Sequence, residues 1–164
     1  MSEPRVASAS RRVHATPDRI FELIADPSRQ PEWDGNDNLA YANSGQRVRA
    51  VGDIFTMTTT RGSVRQNHVV EFVEGRLIAW KPAEPDQVPI GHLWRWELEP
   101  NDDAHTVVVH TYDWTMLKDE SRIKRARSTT SERLSASIDR LAALVEKGWV
   151  AADRRSLHSG LEWP

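Results

Sequence analysis

The sequence predicts an α+β domain in which a curved antiparallel β-sheet wraps around one long C-terminal α-helix, with two short helices after the first strand. Three observations carry this. Between Tyr41 and Thr115, turn-forming residues separate short, strand-like runs in the manner of an antiparallel meander. From about Asp119 to Lys147, apolar residues recur every three or four positions, the stripe of an amphipathic helix. The stretch Val13–Trp33, VHATPDRIFELIADPSRQPEW, holds two helix starts in quick succession. A sheet with one apolar face needs a cover, and the C-terminal helix is the element able to provide it.

Residues 5–13 alternate weakly and read as the first strand. Thr16 then stands as an N-cap, Pro17 at the first helical position and Asp18 in the first turn, all suited to the orphan N–H groups and positive end of a helix. Ile20, Phe21, Leu23 and Ile24 give that helix its apolar stripe, and Asp26-Pro27 ends it and starts a second short helix ending near Trp33. Asp34–Asn38 briefly imitates a calcium loop, but Leu39 stands where glycine is needed and Gly45 where glutamate is needed, so it reads as a turn.

In Asp53–Thr60, Phe55 and Met57 share one face. In Val64–Val73, alternation predicts Val64, His68, Val70 and Phe72 inward, opposite Arg65, Asn67 and Glu71. If Glu74-Gly75 is a two-residue hairpin turn, Leu77 and Ala79 join the inner face and Trp80 the outer. His92, Trp94, Trp96 and Leu98 alternate cleanly with Arg95, Glu97 and Glu99. In Thr106–Thr115, Val107 and Val109 compete with Val108, His110, Tyr112 and Trp114; the second set is favoured because it lines up three ring-bearing residues. The long helix carries Ile123, Ala126, Thr130, Leu134, Ile138, Leu141, Ala142 and Val145 on one stripe, with a bend expected at Ser128–Ser131 and a stop at Gly148. Residues 1–148 thus form one domain and 149–164 a tail or packed strap.

A chain of 164 residues can build one substantial core. Its 22 basic and 24 acidic residues nearly cancel, which gives no overall case for nucleic acid. The N-terminus lacks an apolar run and no window is long enough to span a membrane, so neither a signal peptide nor membrane insertion is expected. The absence of cysteine excludes disulfides and thiol catalysis and fits a cytoplasmic protein. The histidines lack metal spacing, and no G-x-S-x-G elbow, Walker loop or dinucleotide fingerprint occurs, so no metal or cofactor is expected. The basic cluster Arg122, Lys124, Arg125, Arg127 reads as a solvated helix face.

Because Ala126, Thr130, Ser137 and Ala142 are small, space can remain between sheet and helix. The residues expected around it are Phe55, Met57, His68, Trp94, Trp96, His110, Tyr112 and Trp114, with Trp33 near one mouth. The competing view is that they are ordinary core residues. His68 and His110, with Tyr112, are the candidates for proton transfer, since an imidazole near its own pKa serves as acid or base.

The motif A-T-P-x-x-I-F-x-L-I-A-D-P-x-x-x-P-E-W after a strand is similar to the opening of the START-like (Bet v 1-like, SRPBCC) polyketide cyclase/dehydrase and lipid-transport families. VVEFVEGRLIAWKP (69–82), HLWRWELEP (92–100) and TVVVHTYDWT (106–115) resemble later parts of the same families, over roughly residues 5–147. The resemblance implies a helix-grip fold and a cavity for a small hydrophobic molecule such as a polyketide, lipid or aromatic metabolite, in a monomer or homodimer. It leaves two alternatives open: a cyclase or dehydratase using a pocket histidine, and a protein-interaction module of Hsp90-activator type with a filled interior. No catalytic signature of the families' enzymes is matched.

Overall fold

The computed structural model describes residues 3–162, with side chains as far as Lys147. Seven strands form one antiparallel sheet in the order β1-β7-β6-β5-β4-β3-β2. They are β1 (Val6–Val13), β2 (Leu39–Tyr41), β3 (Ile54–Thr59), β4 (Val64–Val73), β5 (Leu77–Ala83), β6 (Leu93–Asp102) and β7 (His105–Asp113). Between β1 and β2 lie α1 (Pro17–Ala25), a 3-10 turn (Pro27–Arg29) and α2 (Gln30–Trp33). After β7 come α3 (Glu120–Arg127) and α4 (Ser131–Glu162). This is the helix-grip arrangement: one long helix held against a curved sheet.

The local causes are mostly those expected. Pro17 opens α1, and its stripe Ile20, Phe21, Leu23 and Ile24 is buried. The Thr16 side chain caps no backbone N–H; its hydroxyl hydrogen-bonds the Asp18 carboxylate instead, which lowers the Asp18 pKa. Asp26 does cap the 3-10 turn, accepting from the Ser28 N–H at 3.1 Å. Trp33 at the end of α2 is buried and donates from Nε1 to the Leu23 carbonyl at 2.7 Å, tying α2 to α1. The polar loop after it is an Asx-type turn: Asp34 accepts from the N–H groups of Asn36, Asn38 and Leu39.

Two irregularities in the meander decide which side chains face the helices. The turn after β4 takes three residues: the Arg76 N–H bonds the Val73 carbonyl at 2.9 Å, Gly75 has φ 75°, and pairing resumes at Val73↔Leu77. That is the geometry of a type II turn, whose third position needs positive φ. Phe72 therefore pairs Ile78. The inner residues of β5 are Ile78 and Trp80, not Leu77 and Ala79 as a two-residue turn would give.

The second irregularity is a bulge in β4, where Val69 pairs Trp80 but Glu71 pairs Ala79, leaving Val70 as an extra residue. Alternation counted back from Phe72 through the bulge gives the wrong face. Arg65 and Asn67 sit opposite Met57 and Phe55 on the inner face. Val64, His68 and Val70 are not on it, and His68 lies between the outward Ile54 and Lys81. On the outer face, Ala79 pairs with both Glu71 and Arg95, and those two close a bidentate ion pair over it at 2.6 and 2.9 Å.

In β7 the inner set is Val108, His110 and Tyr112, continued by buried Trp114, which settles the open parity in favour of the ring-bearing row. The expected bend separates α3 from α4. The Ser128 hydroxyl bonds the Arg125 carbonyl at 2.6 Å, closing α3, and Thr130 Oγ1 accepts from the Arg133 N–H at 3.4 Å as α4 begins. Leu134, Ile138, Leu141, Ala142 and Val145 of α4 are buried as the stripe requires. The expected stop at Gly148 is overturned, because α4 continues to Glu162. A mid-helix glycine costs only about 1 kcal/mol relative to alanine, and Ala151 and Ala152 favour continuation. The two tryptophans of the expected tail, Trp149 and Trp163, lie outside the described side chains. No helix among the described residues is long and apolar enough to cross a membrane.

Candidate functional site

A cavity of about 310 Å³ lies between the inner face of the sheet, the loop after α2, and the α3–α4 bend. Met57, Arg65, Asn67, Trp80 and Trp94 come to it from the sheet, with His110 and Tyr112 from β7. Ala126, Leu134 and Ser137 form the helical wall, and the small side chains of Ala126 and Ser137 leave room beside Leu134.

Of the residues expected from sequence, Trp33, Met57, Trp94, His110 and Tyr112 line this cavity. Phe55 and Trp96 belong to the solid core beneath it, with Phe55 edge-on to Trp80 at 5.3 Å and Trp96 edge-on to Trp33 at 5.0 Å. Trp114 packs in a second core cluster with Leu117, Ile123 and Leu134, under the Arg5 guanidinium 4.8 Å from its ring. His68 does not reach the cavity, for the bulge reason given above.

The rings are arranged by cross-strand pairing. Trp96 faces His110 and Trp94 faces Tyr112 across β6 and β7. His110 stacks on Trp96 with centroids 3.7 Å apart and lies near-parallel to Trp94 at 5.6 Å. Its Nδ1 is 3.2 Å from the Arg95 carbonyl, which can only accept, so Nδ1 carries the proton and Nε2 the lone pair. Burial pushes the His110 pKa down to about 3, so the ring is neutral and a poor base at physiological pH. Tyr112 is tilted against Trp94 at 4.4 Å, and burial pushes its hydroxyl up to about 12.

Several lining residues were not anticipated. Asn67, Arg65 and Trp80 were assigned outward because the bulge and the three-residue turn have no clear sequence signature. His92 was placed on the inner face but not at the site; its pKa falls to about 4, through burial first and then Arg122, Arg65 and Arg125. Arg122, Lys124, Arg125 and Arg127 were read as a solvated face, and all but half-buried Arg122 are exposed; Arg122 and Arg125 nonetheless also line the cavity, as do Arg61 and Arg133. The available signal was spacing: Arg122 and Arg125 are three apart and flank the buried Ile123 and Ala126. No group of three or more His, Asp or Glu among the described residues could hold a metal.

Comparison with known proteins agrees with this architecture. An uncharacterized protein of Mycobacterium tuberculosis is 29% identical over 113 residues, which is 68% of this chain and 48% of that protein. The chain thus spans about half the length of that relative. Among solved structures, a protein of Mesorhizobium loti superposes with a TM-score of 0.65 at 16% identity, over 87% of this chain and 98% of the other. The Aha1 dimer from Colwellia psychrerythraea superposes with a TM-score of 0.60 at 14% identity, over 86% and 96%. At such identities the likeness is one of fold. The family described as "Polyketide cyclase / dehydrase and lipid transport" matches residues 4–146, nearly the whole chain, and the protein belongs to that family.

Proposed function

We propose that this protein binds a small hydrophobic molecule in the cavity between the sheet and the C-terminal helices. The observation that carries this is the cavity itself: about 310 Å³ with Trp80, Trp94, Met57 and Leu134 in its wall, at the lower end of the size range of small-molecule sites. A protein-interaction module needs no such space, so the open interior favours ligand binding over the activator-type alternative. Binding is also favoured over turnover by His68 or His110. The first sits on the outer face, and the second is a neutral ring stacked on Trp96 with its one N–H committed to Arg95. The ligand contacts proposed are Trp33, Met57, Trp94, His110 and Tyr112, joined by Trp80 and Asn67. We place the protein in the cytoplasm on the cysteine-free sequence, and as a monomer or homodimer on the family resemblance.

The test is titration with N-phenyl-1-naphthylamine, an uncharged apolar dye, read by its emission and by quenching of tryptophan. The wild type binds about one dye per chain. Ala126→Phe, which projects a ring from the helical wall into the space, is expected to weaken binding at least tenfold at a stability penalty of about 1–3 kcal/mol. Saturable binding that is indifferent to this substitution would place the dye elsewhere and defeat the reading.

A further inference from the structure

The chain as a whole carries a formal charge of −2, but its cavity does not share that balance. Five arginines line it, Arg61, Arg65, Arg122, Arg125 and Arg133, against one carboxylate, Asp34. Asp34 is already committed, since its oxygens accept three backbone N–H groups of its own loop. Among the five, only Arg122 closes an ion pair among the described residues, with Glu84 at 2.8 Å, and Glu84 also acts on Arg65 at longer range. Arg65 donates merely to the adjacent Val64 carbonyl at 3.2 Å.

The arginines also act on one another. Arg65 is pushed below its ordinary pKa by burial and then by Arg122 and Arg125, with Glu84 opposing; Arg125 is pushed down by burial and then by Arg61 and Arg122, with Tyr112 opposing. His92 feels Arg122, Arg65 and Arg125, and its Nδ1 is sealed from solvent with no partner among the described residues. The α4 N-terminus lies here too, because Thr129, Arg133 and Leu134 all line the cavity, and a helix start favours negative charge. Arg65 and Arg122 are half-buried and the other three lie at the exposed rim; like charges gathered there repel, and a bound anion converts that repulsion into charge-assisted hydrogen bonds.

We propose that the ligand is an organic anion whose apolar body lies against Trp80, Trp94 and Leu134 and whose oxyanion head group is held by Arg65, Arg122 and Arg125. This rests on the ligand-binding reading and narrows it. Carboxylate and phosphate heads share the required chemistry: planar guanidinium forks bind either in bidentate fashion.

The experiment compares decanoate, decyl phosphate, decanol and inorganic phosphate by calorimetry below micelle-forming concentrations, on the full chain at low salt. At least one of the two alkyl anions is expected to bind on the order of tenfold or more tighter than decanol. The stronger of them identifies the head group. Arg125→Gln is expected to shrink the anion-to-decanol ratio to about twofold, and Arg125→Lys, which keeps the charge, to retain an intermediate ratio. Arg65→Gln, at another of the three head-group arginines, is expected to shrink the ratio in the same way and provides a second variant should the first fail to fold. Decanol binding as tightly as both anions overturns the proposal while leaving the hydrophobic-ligand reading intact. Inorganic phosphate matching decyl phosphate overturns the apolar body and leaves an ion site. If none of the alkyl probes nor the uncharged dye binds, both readings fall together.

Discussion

His110 shows how a single buried ring couples stability to pH. Its N–H satisfies the Arg95 carbonyl and its face packs on Trp96, so the folded chain holds it neutral, with a pKa near 3 against an ordinary 6.5. The unfolded chain takes up a proton as the pH falls through about 6.5 whereas the folded chain does not, so this stability is complete above that pH and drains away toward 3. His92, held near 4, adds to the same slope. Between pH 7 and 5 the loss is roughly 2 kcal/mol per histidine. Urea midpoints measured at those two pH values should fall accordingly. His110→Gln retains a donor for the carbonyl without titrating, and should remove about half of the fall. An unchanged pH slope in that variant would show that His110 is not held neutral.

At the scale of elements, the site depends on where two strands slip by one residue. The turn Glu74–Arg76 and the bulge at Val70 together send Arg65, Asn67, Trp80 and Pro82 toward the cavity. Gly75 permits the turn by adopting φ 75°, and nothing lies within 4 Å of where its Cβ would be. Gly75→Ala therefore meets only the conformational penalty, about 1–2 kcal/mol. Gly75→Asn, which tolerates that region better, should lose less. The check is a pair of urea unfolding curves with unchanged slopes. The sequence announces this turn through Glu-Gly, but not whether two or three residues form it, since both fit the same local chemistry. Alternation within one strand was legible where no bulge intervened, as in His92–Leu98. It failed in Val64–Val73, where the decisive extra residue is a valine like its neighbours. The break between α3 and α4 was legible because Ser128 and Thr130 offer the backbone competing hydrogen bonds.

The molecule as a whole folds around a cavity, so a ligand bound there should show in its stability. A ligand present at about a hundred times its dissociation constant adds about 2.7 kcal/mol, which in a domain of this size raises the melting temperature by roughly 5–10 °C. Decanol, carrying no charge, should give a concentration-dependent upward shift that Ala126→Phe abolishes. A flat melting temperature despite measured binding would mean that the unfolded chain binds the probe equally well. Elsewhere the shell is tied by contacts distant in sequence: Arg11 of β1 bridges Asp139 and Glu146 of α4 at 3.0 and 3.4 Å, and Arg47 joins Glu22 of α1 to Glu74 of the β4–β5 turn. These pairs are largely exposed, so each contributes modestly.

By itself the sequence determined the class of fold, because periodicity, caps and turns are local signals and all of them agree. It also determined that β6 presents a row of rings, since strict alternation survives pairing in that strand, whereas in β7 two sets competed and only the pairing with β6 settled the face. Only the tertiary structure decided which rings bound the cavity and which lie in solid core, because Trp96 and Trp94 are the same residue type with the same parity and differ only in what α2 covers. It alone decided the charge of that cavity. Arg61, Arg65, Arg122, Arg125 and Arg133 come from a turn, a strand and two helices, and their proximity is a property of packing that no stretch of chain contains.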